Sequence, residues 1–292
     1  MEPVYFVDTT LRDGEQSPGV AFTVAEKVHI AYLLSQVGVY EIEAGIPVMG
    51  KLEMDAIYQI LSLNLKARVT TWNRATLKDV KASLECGARN LHISAPVSDI
   101  HIKYKLNRSR DWVLDNVRKV VSYARAAGCT VTIGAEDASR AAMQFLITFA
   151  MLAREEGASR LRFADTLGVL DPFTTREKVA HIIQETGIEV EMHAHNDFGM
   201  ATANALAAQL AGAKYLSTTI LGLGERAGNT SYAEIVKVLQ QVKGLKINVN
   251  EQILQELIQY VAAATNRYFP PGYFKKTNLF VVPHAGAWRE IL

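Results

Sequence analysis

Short apolar segments alternate with longer amphipathic segments along most of the 292-residue chain. The short apolar runs predict strands at 4–8, 41–45, 68–71, 90–94, 130–135, 160–164, 189–193 and 215–220. Between them, apolar positions at helical spacing predict helices at 23–37, 52–63, 76–86, 111–127, 140–156, 172–186, 199–211 and 231–242. Eight such pairs over about 240 residues predict an α/β fold of the (β/α)8 TIM-barrel type.

Local signals support these boundaries. Thr23 and Glu26 have the spacing of a capping box that opens the first helix, and Asp171 before Pro172 is an expected N-cap. A glycine follows six of the helices, Gly38 being the first, where a left-handed residue can end a helix. The rival fold is an open, doubly wound sheet. We favour the barrel because polar clusters follow nearly every strand, not only those beside one switch point.

The pattern changes after residue 243. Residues 250–265 predict a ninth helix, and 267–274 predict an ordered loop. We therefore divide the chain into a barrel, 1–243, and a short helical C-terminal extension, 244–292, which is too small for an independent domain.

Composition excludes several classes of partner. The chain is 49% hydrophobic and 21% charged, with a formal net charge of +1 and no basic run, so we expect neither nucleic acid nor an anionic membrane as a partner. No apolar run approaches the roughly 18 residues of a transmembrane helix. Two cysteines without metal-type spacing, and a strand at the N-terminus where a secretory segment would lie, predict a cytoplasmic protein without disulfides.

Two polar clusters carry the candidate chemistry. Residues 8–16, DTTLRDGEQ, follow the first strand, and residues 193–197, HAHND, follow the seventh. In a barrel both clusters lie at the carboxyl ends of strands, where barrel enzymes place their active sites. Each cluster alone is also compatible with a solvated turn, because Asp and Gly favour turns.

A divalent metal site is predicted from the second cluster. His193 and His195 are two residues apart and therefore point to the same side of a strand. Two imidazoles and one carboxylate are a common ligand set for a divalent cation. Asp13 is the expected carboxylate, and Asp8 is a competing third ligand. Arg12 beside such a cation could stabilise an enolate or alkoxide oxygen.

Other strand ends contribute further candidates. Glu43, Ser94, Glu136 and Thr166 each end or follow a strand, and Glu136, after an apolar strand, suits proton transfer. The glycine-rich loop 222–229 allows close backbone approach to a ligand, and its last residue, Asn229, stands at the expected N-cap of the eighth helix.

These motifs resemble the metal-dependent acyltransferases and lyases that share a barrel and a "DRE" motif, among them 2-isopropylmalate, homocitrate and citramalate synthases and hydroxymethylglutaryl-CoA lyase. The matching stretches lie in order along the barrel, at 8–16, 42–47, 94–106, 136–137, 165–168, 193–197 and 222–229. Residues 95–106 and 108–114 resemble the homocitrate synthases of nitrogen fixation. The resemblance implies condensation of acetyl-CoA, the co-substrate, with a 2-oxo acid, 2-oxoglutarate above all, by metal polarisation of the ketone and hydrolysis of the thioester.

The resemblance also implies roles for individual residues. Metal binding falls to Asp13, His193 and His195, with Asn229 on or near the metal. The implied catalytic residues are Arg12, Gln16 and Glu136. Arg12 would stabilise the enolate with Gln16 beside it, and Glu136 would belong to the acid–base machinery. Contact with the 2-oxo acid falls to Arg12, Glu43, His101 and Thr166. The ligand types leave magnesium, manganese, zinc and ferrous iron as alternatives.

Synthases of this family continue beyond the barrel into an accessory region with a His-x-Ser-Gly-x-His motif. His284 matches its first histidine, and Trp288 stands near the place of the second. We therefore expect a homo-oligomer, or a hetero-oligomer with a chain that supplies the C-terminal region. The alternatives are a lyase, although the lyases carry a cysteine where this chain has Glu225 and Arg226, a 2-isopropylmalate or citramalate synthase, and a non-catalytic binding relative.

Overall fold

The computed structural model describes residues 3–267. Its eight strands, all parallel, follow one another around a closed barrel, with the last strand paired to the first. In chain order they are β1 Tyr5–Asp8, β2 Glu41–Gly45, β3 Arg68–Arg74, β4 Asn90–Pro96, β5 Thr130–Glu136, β6 Ala158–Asp165, β7 Glu189–Ala194 and β8 Tyr215–Thr218. The predicted (β/α)8 barrel is confirmed.

Nine α-helices accompany these strands within residues 3–267. They are α1 Val24–Val37, α2 Lys51–Ser62, α3 Leu77–Glu85, α4 Arg110–Ala126, α5 Met143–Glu155, α6 Pro172–Thr186, α7 Ala201–Leu210, α8 Tyr232–Gln241 and α9 Glu251–Ala264. Most observed ends lie close to the predicted ones. Strand β8 and helix α5 are shorter than predicted, because 3-10 turns occupy Ile220–Gly222 and Ala138–Arg140.

Local sequence explains how the first helix begins and ends. The Thr23 side chain accepts a hydrogen bond from the Glu26 backbone, and the Glu26 side chain accepts one in return, so the predicted capping box is present. Gly38 ends the helix at φ 100°, a left-handed conformation that glycine adopts without strain. These signals direct the chain into β2 and so position the second strand of the barrel.

An ion-pair network fills part of the barrel interior. Arg160 bridges Glu41 and Glu191, and Arg162 bridges Glu191 and Glu43. All five side chains are buried. Branched apolar residues usually fill this space in such barrels. Here paired charges replace them, and the pairing is what makes their burial tolerable.

Helix α9 packs against α1 and joins the same apolar core. Leu254, Leu257, Ile258 and Val261 are buried in that core, and the Tyr260 ring lies 4.5 Å from the His29 ring. The division at residue 243 stays a prediction, and His284 and Trp288 lie outside the described residues. No helix formed by residues 3–267 is long and apolar enough to cross a bilayer.

Candidate metal centre and active site

The loop after β1 turns Asp13 towards the barrel axis. The backbone N–H groups of Arg12 and Gly14 both donate to the carbonyl of Thr9, which folds the loop into a tight turn. Asp8 takes a different role, because its Oδ1 accepts a hydrogen bond from the Thr10 backbone at 2.9 Å. Burial raises the pKa of Asp8 to about 7. The structure therefore brings Asp13, not Asp8, to the two histidines.

Asp13, His193 and His195 form a compact triad of ligand atoms. Asp13 Oδ2 lies 3.2 Å from His193 Nε2 and 3.8 Å from His195 Nε2, and the two Nε2 atoms are 3.3 Å apart. All three residues are buried. Atoms spaced in this way can contact one divalent cation at bond lengths of about 2.0–2.2 Å. Within residues 3–267, no other group of three or more His, Cys, Asp or Glu residues brings its ligand atoms this close together.

The electrostatics of the triad suit a cation. Burial and the neighbouring His193 lower the pKa of His195 to about 4, so its ring is neutral and able to act as a ligand near pH 7. Burial by itself raises the pKa of Asp13, but the charge of Arg12 and the hydrogen bond with His193 outweigh it and hold that pKa well below 3.8. The triad therefore offers one carboxylate and at least one neutral imidazole.

Asn229 lies beside the triad, not at a helix cap. Its predicted N-cap role is wrong, because Ser231 is the N-cap of α8 and Asn229 instead forms a bridge with His195. Its Nδ2 donates to Asp13 Oδ1 at 3.0 Å and to the Leu223 carbonyl at 3.0 Å. Its Oδ1 is buried without a hydrogen-bond partner in the described part of the chain. That oxygen is a further ligand of the type that divalent cations accept.

Gly224 permits this arrangement. A Cβ built at Gly224 would lie 2.1 Å from Asn229 Nδ2 and 3.1 Å from Asp13 Oδ1. Only glycine lets the loop approach both side chains so closely. The glycine-rich loop was predicted to approach a ligand closely. In the structure its Gly224 approaches the side chains of Asn229 and Asp13.

Arg12 is held in place by three side chains. Its Nε donates to Glu43 Oε1 at 2.5 Å, and its Nη1 donates to Asp13 Oδ2 at 3.0 Å and to Gln16 Oε1 at 3.3 Å. The guanidinium also lies 5.6 Å from the centre of the Trp72 ring, within cation–π range. A positive charge is therefore fixed next to the triad, with Gln16 beside it.

Glu43 accepts hydrogen bonds from two arginines, Arg12 and Arg162. It is fully buried, and its second oxygen accepts from Arg162 Nη1 at 2.7 Å. It is not among the described residues that line the cavity in front of the triad. Contact between Glu43 and a substrate stays a prediction, and the geometry favours a positioning role.

A cavity of about 340 Å³ opens at the carboxyl ends of the strands, in front of the triad. The predicted residues Arg12, Asp13, Gln16, His101, Glu136, Thr166 and His193 all line it. A larger cavity, about 830 Å³, lies at the opposite end, beside Tyr5, Tyr40 and Arg68. None of the triad lines that second cavity. The chemistry therefore belongs to the smaller one.

A short π-helical turn, His101–Leu106, builds one wall of this cavity. It brings His101 Nδ1 to 2.8 Å and Lys105 Nζ to 2.7 Å from Glu136 Oε1. At the end of the neighbouring strand β6, Thr166 Oγ1 accepts a hydrogen bond from the Asp137 backbone at 2.9 Å. Glu136 thus has a basic group and an imidazole within proton-transfer distance.

Arg226, His92 and Arg162 also line the wall and were not predicted as site residues from the sequence. Arg226 donates to both carboxylate oxygens of Asp197 and to the Thr166 carbonyl. His92 lies within β4 and Arg162 lies within β6, and both line the cavity. The signal for Arg162 was present in the sequence, because Arg160 and Arg162 occupy alternate positions of an otherwise apolar strand.

Comparison with known families covers nearly the whole described barrel. The profile of the family described as HMGL-like matches residues 3–261. The chain is 51% identical over 270 residues to 2-isopropylmalate synthase 2 of Caldanaerobacter subterraneus subsp. tengcongensis, which covers 92% of this chain and 70% of the relative.

Two homocitrate synthases are also similar. Homocitrate synthase 1 of Nostoc sp. is 49% identical over 271 residues, which cover 93% of this chain and 72% of the relative. The homocitrate synthase subunit alpha of Clostridium pasteurianum is 46% identical over 244 residues, which cover 84% of this chain and 91% of the relative. Among solved structures, an HMG-CoA lyase of Bacillus subtilis superposes with a TM-score of 0.83 at 20% identity, over 92% of this chain and 96% of that one. At this identity the likeness concerns the fold alone.

Proposed function

Because the chain belongs to the HMGL-like family, we propose that it is an acetyl-CoA-dependent condensing enzyme that joins acetyl-CoA to a 2-oxo acid. We take 2-oxoglutarate as the 2-oxo acid and homocitrate as the product. In the balanced reaction one water is consumed, a carbon–carbon bond forms between the acetyl methyl carbon and the ketone carbon, and hydrolysis of the thioester releases CoA.

One observation carries this proposal. Asp13 Oδ2 faces both His193 and His195 and also accepts a hydrogen bond from Arg12. A cation site and a fixed guanidinium therefore share one oxygen atom and stand side by side. Such a pair suits two substrates that each develop negative charge on oxygen. A condensation between a ketone and a thioester enolate has this requirement.

Asp13, His193 and His195 are the residues that would hold a divalent cation, with the unpartnered Oδ1 of Asn229 beside them. When bound, such a cation supplies Lewis-acid polarisation of the ketone of the 2-oxo acid. Both oxygen and imidazole ligands are present, so the set accepts magnesium, manganese, zinc or ferrous iron.

The chain's own side chains supply the remaining chemistry. Arg12 is positioned to stabilise the enolate oxygen of acetyl-CoA, because Glu43 and Gln16 fix its orientation. Glu136 is positioned to take the methyl proton, and His101 Nδ1, 2.8 Å away, can relay it. Thr166 lines the same cavity and is a candidate contact for the 2-oxo acid.

Polar lining supports 2-oxoglutarate over branched 2-oxo acids. His92, Ser94, Arg162 and Lys105 line the cavity together with His101. A second carboxylate matches Arg162 Nη2, which has no hydrogen-bond partner among the described residues, whereas the isopropyl group of a precursor of 2-isopropylmalate would leave that nitrogen unpaired. Because the similar relatives include both kinds of synthase, the cavity wall is the better guide to the substrate.

A partner chain is a second part of the proposal. A similar relative is named as a subunit alpha, so a protein of this kind can be one of several subunits. We propose that this chain acts in a homo-oligomer, or in a hetero-oligomer with a chain that supplies the C-terminal region. The cytoplasmic location expected from the sequence also stays a prediction.

A lyase is the second candidate function, because the matching family is described as HMGL-like and the sequence motifs also resemble those of hydroxymethylglutaryl-CoA lyase. The glycine-rich loop 222–229 argues against a lyase. The family resemblance implies a cysteine in this loop for a lyase, whereas this chain has Glu225 and Arg226 there, and Arg226 donates hydrogen bonds to Asp197 and to the Thr166 carbonyl. A binding protein without turnover would not need Arg12 beside the triad.

The test is release of free CoA by the purified chain with Mn²⁺ or Mg²⁺, acetyl-CoA and a panel of 2-oxo acids. Release with 2-oxoglutarate, and formation of homocitrate, would establish the proposed reaction. Cleavage of a 3-hydroxy-3-methylglutaryl-CoA-like thioester to acetyl-CoA would establish the lyase instead. If the folded, metal-loaded chain stays silent, the assay is repeated with a candidate partner chain, and the proposal is abandoned if none raises CoA release.

A further inference from the structure

The floor of the cavity is formed by the inward residues of β6. Ala164 pairs in register with His193, and Arg162 pairs with Glu191, two residues earlier on each strand. Because alternate residues of a strand face the same side, Arg162 lies one inward layer below the metal ligands. It is 2% exposed and forms part of the cavity wall.

Arg162 leaves one nitrogen without a partner, unlike its neighbour on the same strand. Its Nε donates to Glu191 at 2.6 Å and its Nη1 donates to Glu43 at 2.7 Å, but its Nη2 is buried with no hydrogen-bond partner among the described residues. In Arg160, by contrast, Nε, Nη1 and Nη2 all donate to Glu191 or Glu41. A buried donor without an acceptor is costly, so an acceptor atom of a ligand at Nη2 would be stabilised by this hydrogen bond.

Gly134 gathers two more polar groups beside Arg162. It pairs in register with Arg162 on one side and with Ser94 on the other. A Cβ at Gly134 would lie 2.5 Å from His92 Nε2 and 3.1 Å from Ser94 Oγ, so the missing side chain makes the room that these groups occupy. Burial and the charge of Arg162 keep the pKa of His92 well below 6.5, so its neutral ring can donate or accept a hydrogen bond.

We propose that Arg162 is the specificity-determining residue that binds the distal carboxylate of a dicarboxylic 2-oxo acid, and that His92 and Ser94 complete this subsite. The assignment rests on the proposed condensation and names the part of the cavity that selects its substrate. Nη2 donates to the distal carboxylate while Nε and Nη1 remain bound to Glu191 and Glu43.

The ion-pair network gives this subsite its rigidity. Glu191 and Glu43 hold Arg162 from two sides, so its guanidinium cannot turn away when no substrate is present. A site built to pair a buried donor discriminates strongly against an analogue that lacks the acceptor, because the donor is then left unpaired. An alkyl-ended 2-oxo acid of the same length is such an analogue.

The experiment compares kcat/KM for 2-oxoglutarate and for 2-oxopentanoate, which has a methyl group in place of the distal carboxylate. In Arg162→Gln we expect the value for 2-oxoglutarate to fall about 100-fold and that for 2-oxopentanoate to change by less than about threefold. Arg160→Gln is the matched control, because Arg160 belongs to the same network but has no free nitrogen. Any loss in that variant should be equal for both acids.

A second variant leaves the arginine intact. Gly134→Ala places a methyl group against His92 Nε2, and we expect it to raise the KM for 2-oxoglutarate more than that for 2-oxopentanoate. This variant carries the test if Arg162→Gln does not fold, as judged by circular dichroism. Equal losses for the two acids in the folded variants would overturn the assignment of Arg162.

Calorimetric binding of the two acids to the Mn²⁺-loaded protein, without acetyl-CoA, separates this inference from the proposed reaction. If the wild-type chain shows no turnover but prefers 2-oxoglutarate, and loses that preference in Arg162→Gln, the inference holds and the reaction fails. If the wild-type chain turns over but shows no preference between the acids, the reaction holds and the inference fails.

Discussion

Nη1 of Arg12 lies 3.0 Å from Oδ2 of Asp13, the carboxylate oxygen that also faces His193 and His195. One carboxylate thus links a guanidinium to a cation site. Asp13 keeps its negative charge because Arg12 and the histidine lower its pKa against the effect of burial. The Arg12 guanidinium and the predicted cation site are therefore held at a fixed separation. A change in Arg12 should affect catalysis more than metal binding.

Arg12→Lys should lower kcat about 100- to 1,000-fold, because a lysine cannot donate to Glu43, Asp13 and Gln16 at once while facing an enolate oxygen. The measurement is CoA release at saturating substrates. Arg74→Lys is the matched control. Arg74 is exposed and paired with Asp79, so this change should leave kcat unchanged. A parallel loss of Mn²⁺ affinity in Arg12→Lys would show that Arg12 serves mainly to organise the metal ligands.

His193→Ala should weaken Mn²⁺ binding more than about 100-fold, because it removes one of three ligand atoms that the fold holds together. Titration calorimetry on the chelator-treated protein measures this affinity directly. His181→Ala, on the exposed side of α6, should bind Mn²⁺ as the wild-type chain does. Unchanged affinity in His193→Ala would place the metal elsewhere.

Glu136→Gln should lower kcat about 100- to 10,000-fold with little change in the KM for the 2-oxo acid, because it removes an acid–base group but keeps the shape of the side chain. Solvent deuterium should also cease to enter the methyl group of acetyl-CoA. Glu177→Gln, an exposed change of the same kind, is the control. Normal deuterium entry in Glu136→Gln would assign proton removal to another group.

The barrel itself could be predicted from the sequence because its signals are local. Strand length, helical spacing and the Thr23 capping box each act within a few residues and are retained in the structure. The pairing of His193 with His195 was predictable for the same reason, since two residues along one strand share a face whatever the rest of the fold does.

The charged interior could not be predicted in the same way. Arg160 and Arg162 alternate with apolar residues, a pattern that also fits a strand with one face in water. Only closure of the barrel turns those arginines towards Glu191 and the carboxylates of β2. Asn229 was misassigned for a related reason, because its partner Asp13 is 216 positions away in the chain and a helix cap was the nearest local explanation.

Asp8 provides a prediction about stability. Its Oδ2 is buried without a partner among the described residues, and burial raises its pKa from 3.8 to about 7. Between these values the unfolded chain releases this proton while the folded chain keeps it, so the contribution of Asp8 to stability falls as pH rises towards 7. Asp8→Asn cannot ionise, and its Oδ1 can still accept the hydrogen bond from Thr10.

Relative to the wild-type chain, Asp8→Asn should therefore gain roughly 2–3 kcal/mol in free energy of unfolding between pH 5 and pH 8. Urea titrations of both proteins at the two pH values measure this difference. Asp171→Asn is the matched control. Asp171, the half-buried N-cap of α6, has its pKa lowered by hydrogen bonds from Thr174 and stays ionised across this range, so no such gain is expected. An equal pH dependence in the wild-type chain and Asp8→Asn would mean that Asp8 is already ionised in the folded protein at pH 5, with its charge balanced by a group inside the barrel.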